Sequence, residues 1–181
     1  YKELYLCDAD GAGMVQLTRD RSVSVAPAWT PDGEHLVYTS YLRRFPDIYR
    51  VDLQTGKRTV LSEYAGLNTG ASVAPGGDLM ALILSKDGNP ELYLRHMQSG
   101  RLTRLTRTHP AAEASPSWAP DGHRIVFVSD RSGMPQLYLI ARQGGRPRRL
   151  SCPGSENVAP DWGPNGLIAY ASRQGGRYRI C

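Results

Sequence analysis

The groups in this 181-residue chain that could do chemistry include four histidines, three cysteines and seventeen carboxylates, and their spacing decides what they support. The histidines are His35, His96, His109 and His123; His35 and His123 each stand just after the turn of an internal repeat, which fits strand filler rather than a converging base. No Gly-x-Ser-x-Gly nucleophile elbow occurs, and no carboxylate pair separates itself from the aspartates of the turns. Cys7, Cys152 and Cys181 lack CxxC spacing and a companion histidine cluster, which argues against zinc or redox chemistry. Their odd number argues against a disulfide framework and leaves small buried core cysteines as the expectation. The reading is therefore of a chain without catalytic residues, cofactor or metal, expected to hydrolyse nothing.

The elements that would position any functional group are set by the repeat. Pro31, Pro75, Pro120 and Pro164 lie forty-four or forty-five residues apart, each followed by Asp-Gly, Gly-Gly or Asn-Gly, and a fixed period of this size marks a repeat architecture. The clearest copy runs from Pro116 to Tyr138. A short apolar segment around Trp118 meets Ala119-Pro120-Asp121-Gly122, where proline fixes φ and Asp-Gly tolerates positive φ, so the chain reverses. His123 to Ser129 reads as a second strand, rich in β-branched and aromatic residues. Ser129 to Gly133 turns into a third strand over Pro135 to Ile140, and Arg142-Gln-Gly-Gly145 turns into a fourth around Arg148 to Ser151. Four antiparallel strands per period describe one propeller blade.

The fold expected is all-β: four-stranded antiparallel blades, about four of them, numbered as a partial blade 1–20, blades 21–64, 65–108 and 109–153, and a partial blade 154–181. The chain opens in a third strand at Glu3 to Leu6 and closes in a third strand at Tyr178 to Cys181, which suits an arc of a larger ring with apolar cut faces. A closed four-bladed ring, or pairing with a second copy, stays open at this point. Trp29, Trp118 and Trp162 recur once per blade and are expected as equivalent blade-packing core, while Asp32 and Asp121 are expected to bond the turn backbone. No apolar run approaches a membrane span. The net charge of +5 rests largely on arginines scattered among turns without interleaved aromatics, which argues against nucleic acid.

The repeat Pro-x-Trp-x-Pro-Asp-Gly…Ser-x-x-x-Gly-x-Pro-x-Leu-Tyr, with Gly66-Leu67-Asn68 leading a blade and Leu84 to Tyr93 reading Leu-Ser-Lys-Asp-Gly-Asn-Pro-Glu-Leu-Tyr, resembles the C-terminal β-propeller of the TolB family of the Tol-Pal cell-envelope system. The resemblance spans essentially all of the chain. It implies a six-bladed parent ring, of which this chain holds about four blades, and a periplasmic, non-catalytic scaffold that is not membrane-spanning. Val73 and Gly76 depart from the usual aromatic and aspartate. The non-catalytic gating propellers of prolyl-oligopeptidase-type serine peptidases carry similar blades and form the alternative, with the triad in a domain outside this chain.

Binding on the funnel face is what the resemblance implies, with a peptidoglycan-associated lipoprotein (Pal) and other Tol proteins as partners. Loops leading into the innermost strand of each blade converge around the axis. The matching positions are Leu67, Asn68, Thr69 and Gly70 before the second blade and Ala114 and Ser115 before the third. Ser24 and Val25 are their equivalents in the first blade, and Asn157 and Val158 in the fourth. Asn68 and Ser115 are expected to border one concave funnel, with the Arg43-Arg44 and Asp130 to Gly133 turns at the opposite rim.

Overall fold

A computed structural model of the protein describes residues 1–150 and 152–181. Ser151, the end of the expected fourth strand of the third blade, lies outside the described residues. Among the described residues all regular structure is β, and no helix is long and apolar enough to cross a membrane.

Two short strands, β1 (Tyr5–Leu6) and β2 (Val15–Gln16), pair first. Three four-stranded antiparallel meanders follow. The first comprises β3 (Ser24–Trp29), β4 (His35–Ser40), β5 (Asp47–Asp52) and β6 (Arg58–Ser62). The second comprises β7 (Asn68–Val73), β8 (Leu79–Leu84), β9 (Glu91–His96) and β10 (Leu102–Arg104). The third comprises β11 (Glu113–Trp118), β12 (Arg124–Ser129), β13 (Gln136–Ala141) and β14 (Gly144–Arg149). Three further strands close the chain: β15 (Glu156–Trp162), β16 (Ile168–Gln174) and β17 (Arg177–Ile180). The strand β14 starts earlier than the turn residues suggested, because Ala141 pairs directly with Gly144 and the reversal needs only Arg142 and Gln143. Two consecutive glycines with positive φ, Gly144 and Gly145, permit that tight reversal.

Each sheet is a blade, and β3, β7, β11 and β15 are the inner strands round a common axis, with β3 packed on β7, β7 on β11 and β11 on β15. The fold is a β-propeller. The second strand of each middle blade is a continuous apolar run, Leu79 to Leu84 in β8 for instance, and from Met80 to Leu84 it is at most 1% exposed. A blade sandwiched between two others has no solvent face to require alternation. In β8, Met80, Leu82 and Leu84 face the first blade, where they join Val37 and Ile48, while Ala81 and Ile83 face the third and meet Trp118, Ile125 and Phe127. Burying each of these Met, Leu and Ile side chains stabilises by about 1.5–3 kcal/mol.

The tryptophans share a strand position but not a depth. Trp29, Trp118 and Trp162 each end an inner strand and pair with the first apolar residue of the next, Leu36, Ile125 and Ile168. Trp118 is 4% exposed and its indole N–H donates to the Ser72 carbonyl at 3.0 Å, across the blade boundary. Trp29 is 54% exposed. The strands before it in this chain are only β1 and β2, so no inner strand stands where Ser72 stands for Trp118. The same reason leaves Tyr5, Met14 and Val15 exposed at one end and Leu167, Tyr178 and Ile180 exposed at the other. The expectation of buried core cysteines is also corrected: Cys7 and Cys181 are exposed and Cys152 is half-buried, and all three are free. Cys152 packs where the third blade meets the fourth, against the cluster of Val126, Val128 and Leu137.

Candidate functional site

The inner strands share a local distortion that the blades repeat at one height on the axis. In each, pairing with the second strand skips two residues: 26–27, 70–71, 115–116 and 159–160. The first residue of each bulge has left-handed backbone, with φ of 51° at Ala26, 64° at Gly70, 48° at Ser115 and 50° at Ala159. Only one of the four is glycine, so the other three carry strain of about 1–2 kcal/mol each. Proline follows three of them, at 27, 116 and 160, where its missing N–H removes a donor that the bulge would take out of the ladder. These residues line a funnel of about 440 Å³, in which Gly70 lies so close to the third blade that a Cβ on it would stand 3.2 Å from Pro116 Cδ.

The positions singled out from the sequence divide into two sets around this ring. Gly70 and Ser115 border the funnel together; Ser115 and Ala114 are exposed, Leu67 is 38% exposed, and Thr69, Val25 and Val158 are half-buried. Asn68, Asn157 and Ser24 are buried, so their side chains are not contact surface. The Asn68 amide donates to the carbonyls of Tyr64 at 2.6 Å and Pro46 at 3.1 Å, and its oxygen accepts from the Ser62 hydroxyl at 2.7 Å and the Tyr64 N–H at 2.9 Å. It staples the loop leading into β7 to the first blade. Asn157 does the same more weakly, donating to Gln136 Oε1 at 2.8 Å.

The expected opposite rim is not opposite. Asp130 accepts a hydrogen bond from the Ala112 N–H at 2.8 Å, and Arg131 pairs with Glu113 at 2.6 Å, so the Asp130 to Gly133 turn sits beside the loop leading into β11. Likewise the Asn68 N–H donates to the Pro46 carbonyl, at the end of the turn that carries Arg43 and Arg44. Strand reversal explains this: in a four-stranded meander the second turn and the inter-blade crossing fall at one end, and the first and third turns at the other.

At that other end lies a larger cavity of about 580 Å³, ringed by the four repeat prolines and by Trp29, Trp118 and Trp162. It shares Ser72, Ser117 and Asp161 with the funnel, so the two mouths meet along the axis. Asp161 was not singled out from the sequence, yet it stands where the other inner strands carry Ala28, Ser72 and Ser117, and that break in the repeat is the signal that marks it. The turn aspartates behave as expected: Asp32 accepts from the Glu34 N–H at 2.9 Å and Asp121 from the His123 N–H at 2.8 Å. Asp32, Glu34 and His35 bring ligand atoms within 4.8 Å of one another. However, the Thr30 hydroxyl and the Glu34 N–H hold the Asp32 carboxyl below its usual range and occupy it within the turn.

Between the second and third blades two buried carboxylates face one hydroxyl. Thr108 Oγ1 lies 3.2 Å from Glu91 Oε2 and also hydrogen-bonds Glu113. Burial raises Glu113 despite Arg131, and its second oxygen has no partner among the described residues. Burial pushes Glu91 in the same direction, but the Thr106 hydroxyl, the Thr108 N–H and Arg104 outweigh it and the net shift is downward. Through Thr108 this pair ties the second blade to the start of the third.

The whole chain, residues 1–181, matches the family described as the TolB beta propeller domain. The chain belongs to the TolB β-propeller family. Among curated relatives, the Tol-Pal system protein TolB of Desulfosudis oleivorans is 39% identical over 107 residues, which take in 59% of this chain and 24% of that protein. The crystal structure of TolB from Acinetobacter baumannii superposes with a TM-score of 0.89 at 33% identity, covering 98% of this chain and 45% of that one. The chain therefore spans less than half of that TolB. Puromycin hydrolase matches 99% of this chain and 35% of its own with a TM-score of 0.69, and at 19% identity that likeness shows the fold alone. Within the TolB propeller, the bulge ring lines the funnel, and the two axial mouths meet along the axis.

Proposed function

We propose that this chain is the protein-binding propeller of a periplasmic Tol-Pal scaffold, without chemistry of its own, which docks a peptidoglycan-associated lipoprotein at the funnel mouth. The observation that carries this reading is the recurrence of one strained bulge in all four inner strands, at Ala26, Gly70, Ser115 and Ala159, around a common funnel. Strain repeated at equivalent positions marks a surface kept for use, since relaxed pairing would be more stable. Small side chains there leave backbone groups within reach, and an extended segment of a partner docks by main-chain hydrogen bonds. Leu67, Thr69 and Ala114 extend the same rim and would supply side-chain contacts, while Asn68 and Asn157 hold the loops in place. The names of the relatives, Tol-Pal system protein TolB among them, support the partner class.

The test is a titration of the full-length parent with its lipoprotein. Ser115→Arg fills the funnel and is expected to weaken capture at least about tenfold, since an unpaired charge in a desolvated interface centre is costly. Gln54→Arg, in the exposed β5–β6 turn at the other end, is expected to change binding by less than about twofold. Equal loss from both variants, with folding checked separately, would place docking elsewhere.

A further inference from the structure

A cleft of about 350 Å³ opens between the second and third blades, at the end away from the bulge ring and off the axis. Its floor is built by the side of the second blade that faces the third. Pairing sets Leu102 opposite Arg95 and Thr103 opposite Leu94, which puts Arg101 opposite His96; Leu94 packs into the apolar cluster shared with Phe127 and Tyr138. By strand alternation His96, Arg101 and Thr103 therefore project to the same side as Leu94. The wall across the cleft is the two-residue turn Arg142-Gln143 of the third blade.

This cleft gathers donors. Arg101 makes no ion pair and Arg142 reaches only Asp78, at 3.4 Å, among the described residues. His96 Nδ1 is shielded from solvent and has no hydrogen-bond partner among them. Thr103 and Gln143 add a hydroxyl and an amide, and Asp78 is the single carboxylate lining the cleft, so its two guanidinium groups exceed its acids by one. In most ion pairs of this protein the arginine lies within 3.2 Å of its carboxylate, as for Arg104 with Glu91 at 3.1 Å; the cleft leaves one guanidinium unmatched and holds the other loosely.

We propose that the cleft is a site for a small phosphate-bearing ligand, held by Arg101 and Arg142 with His96, Thr103 and Gln143 beside them. The donors converge from two blades and from three elements, the end of β9, the start of β10 and the β13–β14 turn. A tetrahedral group with acceptor oxygens on several sides meets such a set, whereas a planar carboxylate is satisfied by one guanidinium fork. The volume admits a phosphate monoester with a short polar tail, and the open mouth leaves the tail in solvent. The site does not depend on lipoprotein docking, which lies at the other end of the blades.

The experiment titrates the full chain with inorganic phosphate, glycerol 3-phosphate and acetate, at fixed low ionic strength, by calorimetry and by amide shifts in a ¹⁵N spectrum. Phosphate and glycerol 3-phosphate are expected to bind with Kd on the order of 1 mM and to shift Thr103, Gln143 and His96 together. Phosphate alone, without its ester, would restrict the site to the free ion and remove the tail from the proposal. Acetate is expected to bind at least about tenfold more weakly. Arg101→Gln with Arg142→Gln, both at partly or fully exposed positions that leave the fold intact by melting temperature, is expected to weaken phosphate at least about tenfold. Acetate binding as tightly as phosphate, unchanged affinity in the double variant, or shifts centred elsewhere would overturn the proposal. If the double variant melts early, Gln143→Glu, which adds a charge at an exposed turn, supplies the same readout.

Discussion

Replacing Asn68 by alanine separates the stapling role of this residue from any role at a partner surface. The side chain is fully buried and serves five groups: the carbonyls of Tyr64, Pro46 and Gly66, the Ser62 hydroxyl and the Tyr64 N–H. Their losses are unequal. Tyr64 is 41% exposed, so its backbone groups recover water, and the Pro46 carbonyl keeps the Asn68 N–H at 3.2 Å. Ser62, 2% exposed, loses its acceptor inside the fold. One orphaned buried hydroxyl together with the lost net bonds gives about 2–4 kcal/mol, which for a chain of this size lowers the melting temperature by about 5–15 °C. Asn157→Ala is the internal comparison. Its amide makes one side-chain bond and its oxygen has no partner among the described residues, so about 1 kcal/mol, or about 2–4 °C, is expected. Thermal melts followed by circular dichroism, checked by urea titration, read both. Equal losses, or a loss below about 1 kcal/mol for Asn68→Ala, would refute the view that the Asn68 network holds the loop.

The tryptophans give a second contrast: Trp118→Ala is expected to cost about 3–5 kcal/mol by urea titration and Trp29→Ala less than about 1 kcal/mol, because only the former empties a packed site between blades. Glu113 supplies a pH dependence. Its folded pKa lies above the ordinary value of 4.5, so the folded state favours its protonated form, and that stabilising preference is complete below the ordinary value and lost as pH rises through the folded one. Glu113→Gln is therefore expected to gain in melting temperature relative to the parent as pH rises from 4 toward neutrality, and a flat difference across that window would contradict the assignment. Glu91 runs the other way: its folded pKa is depressed, so its contribution is present above the ordinary value and lost as pH falls, and Glu91→Gln should be most destabilising near neutral pH in the same melts. Ser115→Arg in lipoprotein capture and the phosphate titration complete the set.

How much of this was legible beforehand follows from the range over which each determinant acts. The turns are local: proline fixes one dihedral, Asp-Gly admits the next, and Asp32 and Asp121 bond backbone two residues on, so strand number, order and period can be read directly from residues 31, 75, 120 and 164. The apolar runs of the second strands are equally legible, because burial on both faces needs no partner's identity. Depth is not local. Trp29 and Trp118 look alike in sequence and differ in exposure because what covers each is another blade. Asn68 reads as a loop residue, and only the arrival of Pro46 and Ser62 from the first blade makes it a buried staple. Which turns share an end with the inter-blade crossing follows from strand reversal alone, and contacts such as Asp130 with Ala112 and Arg131 with Glu113 agree with it. The bulge ring, by contrast, was hidden: left-handed backbone at Ala26, Ser115 and Ala159 is imposed by the pairing of two strands and opposes the preference of the residues themselves, so no residue type announces it.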